Sequence, residues 1–347
     1  MDINNKHQKI LTCLLIGAKT LTELIEQPTL SETTERTLQR YLKKLLESGL
    51  VVRHGEARSI TYSASDKARV QLNLSNEVLK DFFNNEDRQK ISYDFKRLDN
   101  LSNNPLFSEQ EIQTLERFNN IFVNKLKNAP IDIIRRERER ITIELSWKSS
   151  KIEGNTYSLL ETETLIKEGL PAVGKSSEET KMVINHKRAL DFTEQNREIF
   201  SGNISPASII NLHKILGEGI IDMGLRKGLI GITGSFYSPL DNVHQISEEL
   251  EKLCEVINKK KSIFEKSLIA FTYICYLQPF NDGNKRTARI LANSILYSNN
   301  AFPLSLRAVD VDTYKLAILA FYELGILGNS KQVFIDQAKF AAENYAI

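Results

Sequence analysis

Along most of this chain apolar residues recur at three- and four-residue spacing, the period of a helix that buries one face. Residues 7–17 predict a first helix and 21–25 a short second one after Thr20. A third, capped by Ser31 or Thr33, carries the stripe Leu38, Tyr41, Leu42, Leu45 and Leu46 and stops at Gly49. Residues 50–53 and 59–62, across a turn at His54, Gly55 and Glu56, predict two strands. Residues 66–105 are polar, with breaks at 84–87 and 100–105, and Phe82, Phe83, Tyr93 and Phe95 predict partial packing, so they are expected to be a semi-ordered connector. Beyond Ser108 the periodicity predicts helices at 109–124, 132–147, 158–168, 177–196, 206–215 and 248–259, two around residue 280, then 311–324 and 331–344. Between them, 226–239 has β-branched residues, Gly punctuation and Pro239, which predicts a short hairpin. The chain is therefore mainly α, with domains expected at 1–65 and 106–347 around the 66–105 connector.

Composition narrows the field only a little. There are 347 residues, ample for a core in more than one domain. Forty-six basic against 44 acidic residues leave a net charge of +2, which selects no class of partner. Cys13, Cys254 and Cys275 lie far apart in apolar surroundings without metal-ligand spacing, as reduced core thiols of a cytoplasmic protein do. Residues 1–9 are polar, so no signal peptide is expected. No apolar run reaches the ~20 residues of a membrane span, so no membrane association is expected either.

The candidate chemistry sits at Gln278-Pro279-Phe280-Asn281-Asp282-Gly283-Asn284-Lys285-Arg286-Thr287-Ala288-Arg289. Pro279 ends the apolar run 262–277, because proline disfavours helical geometry in the residue before it. Ala288, Ile290, Leu291, Ile295 and Leu296 then restart helical spacing. The segment is thus a loop feeding a helix N-terminus, where unpaired N–H groups and the positive dipole end attract an anion. Arg286 and Arg289 lie three apart on one helical face, and Asp282 beside them suits a divalent cation bridging phosphate oxygens. Singly these residues read as a turn and a solvated face; together they read as a di- or triphosphate pocket with a metal.

This string resembles the signature of the Fic family, His-x-Phe-x-Asp/Glu-Gly-Asn-x-Arg-x-x-Arg, at every defining position but the first, where Gln278 replaces the catalytic histidine. Ser149-Ser150-Lys151-Ile152-Glu153-Gly154-Asn155 is similar to the inhibitory motif Ser/Thr-x-x-x-Glu-Gly/Asn of one Fic class. The hairpin at 226–239 resembles the Fic flap, which lays a target side chain over the active site by backbone pairing, with Leu240 where a second proline is often seen. Leu212-His213 resembles a recurrent core dipeptide, with His213 structural.

The resemblance implies an α-helical Fic core with a small β-hairpin flap, and an activity that moves AMP from ATP to a Ser, Thr or Tyr hydroxyl of a target protein. It assigns Mg²⁺ to Asp282, a phosphate-binding loop to Gly283 and Asn284, and the β-phosphate side to Arg286. It assigns the γ-phosphate or Glu153 to Arg289, inhibition to Ser149, Glu153 and Gly154, and target docking to Ile232, Gly234, Ser235 and Tyr237. Phe280 anchors the loop. The missing part is the base: a Gln amide has no titratable lone pair comparable to imidazole. Losing general-base catalysis removes ~10²–10⁴-fold in rate.

At the N-terminus, the order helix, helix, helix, hairpin resembles a winged helix-turn-helix domain. Its third helix exposes Arg36, Gln39, Arg40, Lys43 and Lys44, and the wing adds Arg53 and Arg58, residues suited to double-stranded DNA. Nine Lys/Arg against seven Asp/Glu in 1–65 make that charge local, and a homodimer is expected to bind usefully where one copy binds weakly. The alternative is a protein-interaction or dimerisation module. Three functions follow: an adenylyltransferase lineage with transfer lost or much reduced; a non-catalytic, nucleotide-responsive DNA-binding regulator; and a residual de-adenylylating hydrolase with Glu153 as base.

Overall fold

The computed structural model describes residues 4–56 and 59–345. Helix α1 (Asn5–Ile16) is capped by Asn4, α2 (Leu21–Ile25) by a Thr20–Glu23 capping box, and α3 (Glu35–Glu47) by Thr34. The cap of α3 is Thr34 because a 3₁₀ turn at Pro28–Leu30 takes up the residues before it: Ser31 N–H bonds Pro28 O and Thr33 N–H bonds Leu30 O. Strands β1 (Val51–His54) and β2 (Thr61–Ala64) pair antiparallel, with Arg53 opposite Tyr62. The expected order of three helices and a hairpin is present.

The range expected as a connector holds α4 (Asp66–Gln71), α5 (Asn76–Phe83), β3 (Ile91–Ser92) and α6 (Lys96–Asn103). Ser65 and Ser75 cap the first two, and Ala68, Leu72, Leu74, Val78 and Leu79 join one core with Ile10, Leu14, Leu38 and Leu42. Their periodic stretches span only two turns, too short to stand out from the polar residues around them.

There follow α7 (Glu109–Lys127), α8 (Ile131–Ile152), α9 (Leu159–Glu168), α10 (Ser177–Gln195), α11 (Arg197–Ser201) and α12 (Pro206–Gly217). Ser-x-x-Glu capping boxes open α7, α9 and α10. Then come β4 (Tyr237–Ser238), α13 (Val243–Lys259), α14 (Ile263–Leu277), α15 (Asn284–Ser298), α16 (Val311–Glu323) and α17 (Gly328–Asn344).

The expected hairpin at 226–239 differs in its pairing. β4 pairs with β3 instead of with a strand of its own segment, and Ile91 N–H donates to Phe236 O at 3.0 Å. Gly228, Gly231 and Gly234 break the segment into pieces too short to ladder on each other. The small two-stranded sheet exists, but its second edge comes from 145 residues upstream, Ile91 against Phe236.

The residues form two compact units, Met1–Ile91 with Ile232–Tyr237 and Asp312–Gln332, and Ser92–Gly231 with Ser238–Val311 and Val333–Ile347. In the first, the Glu323 carboxylate accepts from Arg88 Nη1 at 2.6 Å, Ser235 Oγ at 2.7 Å and Phe236 N–H at 2.9 Å. The Arg88 guanidinium lies over Phe82, Phe83 and Phe236. In the second, α14 is buried along its length from Ser267 to Leu277 and packs mainly on α15, with α8, α10, α12 and α13 around the pair. No helix among the described residues is long and apolar enough to cross a membrane. Cys13, Cys254 and Cys275 are free thiols, all buried.

Candidate functional site

The turn between α14 and α15 is held by one side chain. Asn284 Oδ1 accepts from Phe280 N–H at 2.9 Å, and its Nδ2 donates to Phe280 O and to Gln278 Oε1, both at 2.8 Å. Gln278, the C-cap of α14, is in the left-handed region at φ 51°. Its Nε2 donates to Cys275 O at 2.6 Å, so both ends of the amide are engaged and only 6% of the residue is exposed. Arg226, fully buried, donates through Nε to Gln278 O at 2.5 Å and through Nη1 to Gly228 O. Phe280 is buried and stacks on His213 with centroids 3.6 Å apart, and His213 Nε2 donates to Asp282 O at 3.0 Å.

Gly283 then enters α15 at φ 78°, where a Cβ would lie 3.0 Å from Ile221 and 3.5 Å from the His213 ring. Only glycine meets both conditions. The start of α15 has no side-chain cap on its N–H groups. Arg286, 2% exposed, donates Nη2 to Asp282 Oδ2 at 2.8 Å, while its Nε and Nη1 are buried without a partner. A buried guanidinium with two unsatisfied donors at a helix N-terminus has the chemistry to take an anion. The Asp282 side chain, in contrast, is 70% exposed.

Arg289, one turn on and fully buried, meets α8. That helix ends in a Schellman motif: Asn155 N–H bonds Ser150 O, Gly154 N–H bonds Lys151 O, and Gly154 is left-handed at φ 95°. The motif makes Glu153 the C-cap and sends its carboxylate back across the helix end. Glu153 Oε1 accepts from Arg289 Nη2 at 2.8 Å and Oε2 from Lys285 Nζ at 3.2 Å. Burial alone would raise this carboxyl; the Arg289 and Lys285 charges and their hydrogen bonds outweigh it and hold it at about 2. Arg289 also donates Nε to Ser149 Oγ at 2.8 Å and Nη2 to Ser149 O at 3.0 Å.

Gln278, Asp282, Gly283, Asn284, Arg286, Arg289, Ser149, Glu153 and Gly154 therefore lie in one unit, at the start of α15 and the end of α8, with three hydrogen-bonded groups among them: Gln278–Asn284, Asp282–Arg286 and Arg289–Ser149–Glu153. Ile232, Gly234, Ser235 and Tyr237 fall in the other unit, where Ser235 bonds Glu323. Arg36, Arg40, Lys43 and Lys44 are exposed on α3 and Arg53 on β1, while Arg58 lies outside the described residues. Three residues were not singled out by the motifs: Lys285 within the 278–289 string, Arg226 at the start of segment 226–239, and His186 on α10. For Lys285 a signal existed, a cation within the 278–289 string; Arg226 and His186 offered none.

As a metal site the 278–289 loop has one carboxylate, Asp282, already bonded to Arg286. No group of three or more His, Cys, Asp or Glu that could hold an ion occurs among the described residues. Such a donor set fits a cation that arrives with phosphate oxygens and does not fit a resident one.

Comparison with known proteins agrees with this geometry. Residues 203–296 match the sequence model of the Fic/DOC family. Protein adenylyltransferase Fic of Nematostella vectensis is 31% identical over 177 residues, 48% of this chain and 40% of that protein. Protein adenylyltransferase fic-1 of Caenorhabditis elegans is 30% identical over 185 residues, 51% of this chain and 35% of that protein. The chain thus spans about two fifths of the length of the curated relatives it matches. A solved Fic domain containing signaling protein of Bacteroides thetaiotaomicron superposes with TM-score 0.55 at 19% identity, over 67% of this chain and 97% of that one. A solved Fic-1 of C. elegans gives TM-score 0.55 at 19% identity, over 71% and 79%. At such identity the structures speak for the fold alone. Residues 203–296 are thus similar to the Fic/DOC family in sequence, and the helical core is similar in fold to solved Fic proteins.

Proposed function

We propose that this chain binds ATP or ADP at the start of α15 and that Glu153 blocks the bound triphosphate by occupying Arg289. The observation that carries the reading is the seat of the Glu153 carboxylate on a fully buried signature arginine. A carboxylate held there fills a phosphate's place and charge. Arg286, with two unsatisfied donors, would take the neighbouring phosphate, and the N–H groups of α15 the oxygens between. Asp282 would hold Mg²⁺ brought in with the nucleotide, which supplies charge neutralisation on the phosphates.

Transfer of AMP requires a target hydroxyl oxygen to attack the α-phosphorus as pyrophosphate leaves and the hydroxyl proton goes to a base. Gln278 cannot accept that proton, and both ends of its amide are tied to Cys275 O and Asn284. The chain is thus read as a Fic nucleotide-binding protein with transfer lost or much reduced. The hydrolase reading is weakened by Glu153 itself, since a carboxyl held at about 2 by two cations is a poor base at neutral pH. The regulator reading keeps one supporting observation, the exposed Arg36, Gln39, Arg40, Lys43 and Lys44 on α3. An unidentified target protein and a homodimer on duplex DNA belong to these proposals.

Calorimetry with ATP and Mg²⁺ tests the pocket: Glu153→Gly is expected to bind and the unaltered protein to bind more weakly. No binding by a folded Glu153→Gly protein overturns it. Labelled ATP tests the chemistry. Gln278→His with Glu153→Gly is expected to restore self- or target labelling, because histidine tolerates the left-handed φ at that position. Absence of label from that folded double variant refutes the assignment of the missing base.

A further inference from the structure

We infer that His186, on α10 and outside both motifs, is a positioning residue that orients Arg289 through the Ser149 hydroxyl, whether or not Glu153 is in place. The inference rests on hydrogen-bond direction. His186 is fully buried, with Nδ1 2.7 Å from Met182 O and Nε2 2.7 Å from Ser149 Oγ. A carbonyl oxygen only accepts, so Nδ1 carries the proton. Burial, with the charges of Arg286 and Arg289, lowers the ring to about 3, so it is neutral and Nε2 holds a lone pair. The Ser149 hydroxyl must then donate to Nε2, which turns its own lone pairs toward Arg289 Nε–H, 2.8 Å away.

A second contact comes from the same residue. Ser149 O has lost its helical partner, since Glu153 N–H bonds Ser150 O and Lys151 O, and it accepts Arg289 Nη2 at 3.0 Å. Two points on Ser149 thus fix the guanidinium plane, and one of them has its polarity set by His186. Replacing the neutral ring by a donor at Nε2 would present two N–H groups to one hydroxyl oxygen. None of this involves Glu153, so the plane stays set when the carboxylate leaves and an anion arrives. The expected effect on nucleotide affinity rests on the anion-binding reading of Arg289 given above.

Two substitutions separate geometry from bulk. His186→Asn keeps a donor for Met182 O and removes the acceptor at Nε2; His186→Gln returns an amide oxygen near that position. In the Glu153→Gly background, His186→Asn is expected to weaken ATP·Mg²⁺ binding about tenfold, the loss of one hydrogen bond to a charged group. His186→Gln should recover most of it. Ser149→Ala should match His186→Asn, and the pair together should be no worse than either, because both act through one bond.

A nucleotide-free arm runs beside this one. In arginine-labelled protein, the Arg289 Nε–H resonance should be protected from exchange in the unaltered chain and in His186→Gln. It should lose protection in His186→Asn, with Ser149→Ala as the substitute should His186→Asn not fold. Persistent protection in those variants overturns the inference, as does ATP affinity equal to that of Glu153→Gly alone. If Glu153→Gly binds no ATP while protection follows the expected pattern, the nucleotide reading fails and the positioning role stands.

Discussion

Replacing Glu153 by glutamine keeps its shape and removes its charge, and the structure sets the size of the result. The carboxyl falls from an ordinary 4.5 to about 2, roughly 2.5 pH units, worth about 3 kcal/mol of interaction between its charged form and the fold. Its side chain is only 16% exposed and Arg289 not at all, so little of this is lost to solvent screening. Glu153→Gln should therefore destabilise the unit that contains it by about 2–3 kcal/mol, some 5–10 °C in melting temperature for a unit of this size. It should also open the seat on Arg289. At a hundredfold excess over its dissociation constant ATP·Mg²⁺ returns about 2.7 kcal/mol, so nucleotide should restore most of the lost melting temperature. The unaltered protein should respond much less, because the nucleotide must first displace the carboxylate. Differential scanning calorimetry with and without ATP·Mg²⁺ measures all four states. Equal melting of both proteins without nucleotide, or equal shifts with it, would refute the reasoning.

The remaining expectations concern pH, the first unit and DNA. His186, 6.5 in the unfolded chain, is lowered to about 3 in the fold by burial first and by Arg286 and Arg289 next, against Met182 O and Glu153. The unfolded chain then binds a proton that the folded one does not, so stability falls by up to about 1.4 kcal/mol per pH unit as pH drops from 6.5 toward 3. Urea midpoints at pH 7, 6 and 5 should converge between the unaltered protein and His186→Asn; His213 and His7 are lowered too and act with the same sign in both. Glu153 adds a loss only below pH 4.5. Glu323→Gln leaves Arg88, 7% exposed at its side chain, without a counter-ion, and should cost about 3–5 kcal/mol and expose the 232–237 backbone to hydrogen exchange; unchanged protection there would count against the Glu323 clamp. Arg40→Ala and Lys43→Ala should each weaken duplex DNA binding that itself declines steeply with salt, as phosphate contacts release counterions. Salt-independent binding, or indifference to both, would make the N-terminal unit a protein-interaction module.

Local order was legible because it is written in short windows. The helix starts at Ser108, Ser158 and Ser176 follow from capping boxes four residues long, and the end of α14 follows from Pro279, whereas α8 runs past the expected residue 147 to Ile152. The loop of Asp282, Gly283 and Asn284 could be placed at a helix N-terminus from the change of periodicity around it. What Gln278 cannot do as a base needs no coordinates, since it is a property of an amide.

The partners of those residues were decided elsewhere. Ser149 meets His186 across 37 positions, Glu153 meets Arg289 across 136, and Arg88 meets Glu323 across 235. No periodicity spans such distances, because each side chain's local pattern is satisfied by its own helix. The same limit explains segment 226–239: its composition shows strand character, but which edge it joins depends on where β3 comes to lie. Which residues can carry charge, cap a helix or take a proton is thus a property of the sequence. Which of them hold one another, with what polarity and at what pKa, is set only when packing removes water from between distant segments.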